Sequence, residues 1–179
     1  MSEFKNTMTD LETMGRRAGC AILSIGAVEF DPKLGLGREY YRVVSLKSCE
    51  SVGLHLDQET AAWWAKQSPE ARKVLDEANA QDAMPIQEAL AEFNEFLATG
   101  TKVWGNGADF DNAILIAAYA ATGIQQGWGP YNGRCYRTLK SFFPQIKAKR
   151  GGVHHNALDD AKTQAAHAIE IAQVAPFSW

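Results

Sequence analysis

The sequence predicts an α/β protein, a mixed β-sheet flanked by helices, and three observations carry that prediction. Three extended segments come first, within residues 5–47. From residue 57 the apolar spacing changes from the period of a strand to that of a helix. A short strand, KVWGN at 102–106, then returns between helical stretches. The resulting order, βββ, helices, β, α, β, α, is that of helices layered on a sheet.

Residues 5–14 form a short first strand. CAILSIGAVEF (20–30) is a nearly continuous apolar run, as expected of a central strand. DPKLGLG (31–37) supplies turn residues and REYYRVVSLK (38–47) a third strand, which makes a meander. Asp57 caps a helix running through Trp64, and Ser68 caps another that has Pro69 at its first position. Pro85 opens a helix whose stripe is Ile86, Leu90, Phe93 and Leu97, stopped by Gly100. After KVWGN, a helix from Asp111 to Thr122 closes at Gly123, and GRCYRTL (133–139) is a brief strand or turn. A long final helix runs from Asn156 to Val174. Its stripe, Leu158, Ala161, Ala165, Ala168 and Ala172, is small enough to let the helix lie close to the sheet.

The 179 residues, 46% hydrophobic and 22% charged, suit one domain spanning 1–179 with a real core. No apolar run reaches about 18 residues, and MSEFKNTMTDLE carries charges where a secretory signal needs an apolar stretch. A cytoplasmic protein without membrane contact is expected. Cys20, Cys49 and Cys135 are odd in number and lack CxxC spacing, so neither a disulfide framework nor a zinc site is indicated. A net charge of -3 argues against broad affinity for polyanions, so a nucleic acid would have to be held by local features.

Three clusters carry chemistry. Asp10 and Glu12 are two apart in a strand and share one face of the sheet. Their repulsion is relieved by a cation between them or by protonation, which makes them candidates for hard-metal ligands; the alternative is a solvated strand end. Asp109 and Asp111 follow the end of KVWGN, where α/β sheets commonly build sites. Helix capping explains one of them more readily than both. In HHNALDDA, His154, His155, Asp159 and Asp160 stand at the head of the final helix, and periodicity does not choose between Asp159 and Asp160.

DLETMG, WGNGADFDNAIL and HHNALDDA resemble the three motifs of the DEDDh 3′–5′ exonucleases, whose domain is ribonuclease-H-like. With SIGAVEFDP, TAAWWAKQS and CYRTL added, the chain is similar to the exonuclease VIII-like branch of phages and bacteria, and to the mycobacterial exoribonuclease-like domain, over residues 8–172. The resemblance implies a ribonuclease-H-like mixed sheet with helices on both faces. Its D-x-E motif falls on Asp10 and Glu12. The second aspartate follows an aromatic residue, which selects Asp111 after Phe110. The pattern H-x-A-x-x-D-A selects His155 and Asp160 and leaves His154 and Asp159 outside. Two departures bear on substrate: Trp104 and Asn106 stand where proofreading relatives have a histidine-asparagine start, and the loop before His155, QIKAKRGG, is basic.

Phosphodiester hydrolysis needs an aligned nucleophile and neutralisation of charge gathering on the phosphate, and two divalent ions about 4 Å apart provide both. Asp10, Glu12, Asp111 and Asp160 are the oxygen ligands implied for two Mg²⁺ or Mn²⁺ ions, with Asp10 bridging. His155 is the implied general base, since an imidazole with a pKa of about 6.5 is available near neutral pH. Leu11, Thr13 and Met14 are implied to line the pocket for the 3′ end, with Asn106 and Phe110 as further substrate contacts. Trp63 and Trp64 diverge by about 100° on a helix and cannot both occupy the centre of one buried stripe, so both are expected to pack at the edge of the core, the alternative being that one offers a stacking face to a base. Lys147, Lys149, Arg150 and Arg137 are candidates for phosphate contacts, against a loose solvated loop for the first three. His167 is expected to be structural. The partner implied is the 3′ end of single-stranded DNA or RNA; relatives are often homodimers, and the helical segment 57–98 is available for such a contact although no pattern in the sequence specifies it. A ribonuclease-H-like binding module without turnover is the competing reading, although all five catalytic positions are filled.

Overall fold

β1 (Asn6–Thr13) is the central strand of a five-stranded sheet ordered β3-β2-β1-β4-β5 in the computed structural model, which describes residues 4–176. β2 (Ile22–Asp31) and β3 (Gly35–Val43) continue it as an antiparallel meander, while β4 (Lys102–Gly105) and β5 (Gly133–Cys135) run parallel to β1. The β2–β3 turn is built as its residues dictate. Asp31 Oδ1 accepts from the backbone of Lys33 and Leu34, and Gly35 takes a φ of 86° that a side chain would resist. A parallel neighbour demands a long crossover, and four helices fill the one between β3 and β4.

Those helices are α1 (Leu46–Ser51), α2 (Gln58–Trp64), α3 (Pro69–Ala78) and α4 (Ile86–Phe96). Asp57 caps α2 and Ser68 caps α3, each through its side chain, as expected. The third strand is shorter than its sequence suggests. It ends at Val43, and Ser45 caps α1 by accepting from the Ser48 backbone. A six-residue helix is too short to show a period, so local capping outweighs the extended pattern there. α5 (Asp111–Thr122) ends at Gly123, whose φ is 72°, as predicted. GRCYRTL divides: β5 takes its first three residues, and α6 (Tyr136–Ser141) begins where Cys135 Sγ accepts from the Thr138 backbone.

α7 (Ala157–Ala172) is capped by Asn156, whose Oδ1 accepts from Leu158 and Asp159. Its buried stripe is Ala157, Ala161, Ala165, Ala168 and Ile171, with Gln164 and His167 also buried. Leu158 and Ala172, expected in the stripe, are only partly buried. The phase is set at Gly26 of β2, where an added Cβ would stand 2.2 Å from the Ala157 carbonyl carbon. Helix backbone rests on strand backbone at that point, and this contact turns Leu158 aside.

Helices cover both faces of the sheet. Leu11, Ile25 and Ala27 belong to the larger core, with Trp64, Leu90, Phe93 and Ile114 from the helices of one face. Met8, Val28, Phe30 and Trp104 point the other way and pack against α6 and α7. The alternation along β1 places Asp10 and Glu12 on the α7 face. Among the described residues no helix is long and apolar enough to cross a membrane.

Candidate active site

Three distant segments deliver four carboxylates to one place, and the backbone explains how. Asp10 pairs in register with Gly26, and Glu12 with Ser24, so both side chains rise from the sheet beside the head of α7. Asp111 opens α5 at the end of β4. Its Oδ1 accepts from the Leu11 backbone at 3.1 Å and its Oδ2 from the Asn106 backbone at 2.6 Å, which ties the ends of β1 and β4 together. An added Cβ at Gly105 would stand 2.9 Å from the Asp111 Cβ, so this close approach needs glycine. Asp160 comes from the first turn of α7, and Gln164 one turn later donates from Nε2 to Asp10 Oδ1 at 2.6 Å. Glu12, His155 and Asp160 each offer an atom within 4.8 Å of the others.

The cluster is electrostatically uneasy. Burial, then the charges of Asp111, Glu12 and Asp160, raise the Asp10 carboxyl well above the ordinary aspartate range, although part of its surface opens to the cleft. Burial, then Asp160 and Asp111, push Glu12 up to about 8 against the opposing pull of Arg150. Burial raises Asp111 to about 6, held there by the N–H groups of Asn106 and Leu11. Buried like charges of this kind call for a cation. An all-oxygen set of four carboxylates, with one imidazole adjacent, fits hard divalent ions.

His155 is held by aromatic rings in an uncommon backbone state. Its φ is 61°, and among the described residues no other non-glycine has a positive φ. Its ring meets Trp63 and Trp64 edge-on, at 5.0 and 6.2 Å between centroids. Burial, and then His154, lower its pKa against the raising effect of Asp160, so the imidazole is neutral near pH 7. Trp64 is buried and donates from Nε1 to the Thr13 carbonyl at 2.9 Å, whereas Trp63 is 43% exposed.

Asp10, Glu12, Asp160, His155 and both tryptophans line a cleft of about 700 Å³ with Leu11, Thr13, Asn106 and Phe110, whereas Asp111 is buried and off its wall. Met14 lies off the cleft, its side chain in the larger core. His154 also borders the cleft, so the two histidines are neighbours in space. Asp159 accepts from the Val153 backbone instead, and Asp109 is exposed outside. The basic loop is strapped down, contrary to a loose solvated segment. Lys149 pairs with Glu170, Arg150 with Asp160 at 2.5 Å, and Gly151 bonds Thr163. Two of its three cations therefore already have carboxylate partners. His167 accepts from the Tyr136 hydroxyl at 2.7 Å and donates to the Ile146 carbonyl at 3.0 Å, an assignment made from the network, and it is buried as expected of a structural residue. Sequence reasoning passed over Gln164, Tyr136 and Lys140, all on the cleft wall. Gln164 is four residues past Asp160 on one helix face, a signal available in the sequence. Lys140 had none, because α6 itself was not foreseen.

The family model of the Rv2179c-like 3′-5′ exoribonuclease domain matches residues 5–172. An exodeoxyribonuclease of Enterobacteria phage T4 is 29% identical over 121 residues, which are 60% of this chain and 52% of the phage protein. The chain thus spans about half the length of that relative. Among solved structures, the nuclease domain of 3′hExo, a DEDDh family member bound to rAMP, superposes with a TM-score of 0.63 at 14% identity, covering 97% of this chain and 94% of the other. Exonuclease X in complex with 5′ overhanging duplex DNA gives 0.60 at 18% identity, covering 96% and 93%. At such identities the structures establish a shared fold, the ribonuclease-H-like sheet of DEDDh exonucleases.

Proposed function

This chain belongs to the family of the Rv2179c-like 3′-5′ exoribonuclease domain, and from that premise we propose that its one domain degrades single-stranded DNA or RNA from the 3′ end to nucleoside 5′-monophosphates. The observation that carries the reading is convergence: Asp10, Glu12 and Asp160 line one cleft with His155 and an exposed tryptophan, and buried Asp111 is near enough for its charge to raise both Asp10 and Glu12. The solved relatives hold DNA in one case and an adenine ribonucleotide in another, which supports a nucleic-acid substrate and leaves both sugars in play.

Asp10, Glu12, Asp111 and Asp160 are the residues that would hold two Mg²⁺ or Mn²⁺ ions. When bound, such ions neutralise charge on the phosphate and ease ionisation of water. The rest falls to the chain. Asp111 is aimed by two backbone N–H groups, and Gln164 orients Asp10. His155, neutral at pH 7, takes the proton of the attacking water on its unprotonated ring nitrogen. Its left-handed backbone and the two indole edges fix where that nitrogen points. Leu11, Thr13, Asn106 and Phe110 border the space for the terminal nucleotide, and the exposed indole of Trp63 offers a base a stacking face.

Matched DNA and RNA oligonucleotides labelled at the 5′ end, incubated with Mg²⁺, Mn²⁺ or chelator, test this directly. Stepwise shortening from the 3′ end, dependent on metal and absent in Asp10→Asn, is expected. A folded protein that shortens neither polymer under any metal condition would sink the proposal.

A further inference from the structure

The cleft holds three cations, and their situations differ. Arg16 is bound to Glu59 at 2.8 Å and Arg150 to Asp160. Lys140 has no such partner: among the described residues no carboxylate oxygen lies within ion-pair reach of its ammonium. It projects from α6 over the ring of Tyr136, 4.9 Å from the centroid, and makes one long bond of 3.4 Å to Asn106 Oδ1. Both partners are themselves fixed. The Tyr136 hydroxyl is held by buried His167, and the Asn106 backbone donates to Asp111. A half-buried ammonium is therefore positioned at the cleft by a tyrosine face and an amide oxygen, with no countercharge. Burial, and then the charge of nearby Arg137, hold it below the usual lysine range, a direction that carboxylates at short range would reverse.

A cation placed and left uncompensated beside an acidic cluster suits an anionic ligand that arrives with the substrate. We propose that Lys140 binds a backbone phosphate of the strand in the cleft and so positions the polymer along the α6 wall, while Trp63 on α2 takes a base. This rests on the exonuclease reading above and deepens it. The same geometry gives Asn106 and Tyr136 a role as positioning residues for the Lys140 ammonium. It also makes recognition on this wall a matter of phosphate charge, which DNA and RNA share.

The test is steady-state degradation of a 5′-labelled oligonucleotide by wild type, Lys140→Met and Lys140→Arg, with thermal unfolding to confirm folding. Loss of one charge-assisted phosphate contact should raise KM about tenfold in Lys140→Met, with a smaller effect on kcat. The slope of log KM against log salt should fall by about 0.7, the share of one phosphate on a single strand. Lys140→Arg should restore both quantities, as a lysine serving only to pack Tyr136 would not require. Oligonucleotides carrying one neutral methylphosphonate, at each of the three linkages 5′ of the terminal one in turn, should show one position that weakens wild type and leaves Lys140→Met unaffected. An unchanged salt slope, or no coupled position, overturns the assignment, as does a fall in kcat at constant KM. Wild-type protein that degrades no oligonucleotide defeats the exonuclease reading itself. Active wild type matched by Lys140→Met defeats only the role of Lys140.

Discussion

The two faces of the sheet obey different rules. The face toward α1–α5 is filled by large apolar groups such as Trp64, Leu90, Phe93 and Ile114, whose burial drives folding. The other face, near the head of α7, carries Asp10, Glu12 and a glycine against which the helix rests backbone to backbone. Carboxylates that burial and one another disfavour as anions are held there by the rigidity the first face supplies. The head of α7 thus concentrates the carboxylates on a face whose remainder is a second apolar core, and substitutions in the larger core and at the head of α7 should move different observables.

The largest effects should come as a contrasting pair. Phe93→Ala should cost about 3–5 kcal/mol of stability through a core cavity. Denaturant unfolding measures it, and activity per folded molecule should be retained. Asp10→Asn should instead reduce kcat on the order of 10³-fold while the fold persists, as loss of a group that stabilises developing charge does. If Asp10→Asn unfolds the protein, the contrast between the larger core and the head of α7 is wrong. His155→Ala is expected to lose about 10²-fold in rate, the lower range for a general base, and to keep the Mn²⁺-induced rise in Tm. Loss of that rise would make His155 a ligand alongside Glu12 and Asp160, which its distances also permit.

Glu12→Gln sharpens the comparison by pH. Glu12 sits at about 8 folded against an ordinary 4.5, so the folded state holds its proton more tightly than the unfolded chain. Its favourable contribution is present below about pH 4.5 and is lost as pH rises through 8. Metal-free Glu12→Gln should therefore match wild type at pH 4 and exceed it by about 1–3 kcal/mol at pH 8, while losing activity. Thermal unfolding at the two pH values decides the matter, and equal stability at pH 8 would dismiss the repulsion inferred for this cluster. The smallest effect belongs to Trp63→Ala, which should weaken oligonucleotide binding by about 1 kcal/mol, the low end for loss of one stacked base, read as KM.

Much of this was legible where one signal acted alone. α5 runs from Asp111 to Thr122 because a strand end precedes it and Gly123 can adopt a positive φ, both local facts. α1 and α6 were illegible because six residues are too few for a helical period and serine or cysteine caps compete with β-branched neighbours. The stripe of α7 was misphased because hydropathy skips Gln164 and His167, which are buried by virtue of their hydrogen bonds to Asp10, Tyr136 and Ile146.

The sequence by itself determined the element order, the caps and the residue types that hard-cation chemistry needs, since those depend on neighbours within a few positions. The resemblance of its motifs, and no periodicity, distinguished Asp160 from Asp159 and Asp111 from Asp109. Only the tertiary structure decided that Asp159 closes a loop while Asp160 faces Glu12, that Arg150 is already paired, and that Lys140 stands uncompensated at the cleft. Charge and burial become specific only when segments a hundred residues apart are brought within a few ångströms. That juxtaposition depends on the Gly26–Ala157 contact and on the backbone bonds to Asp111, which no single segment encodes.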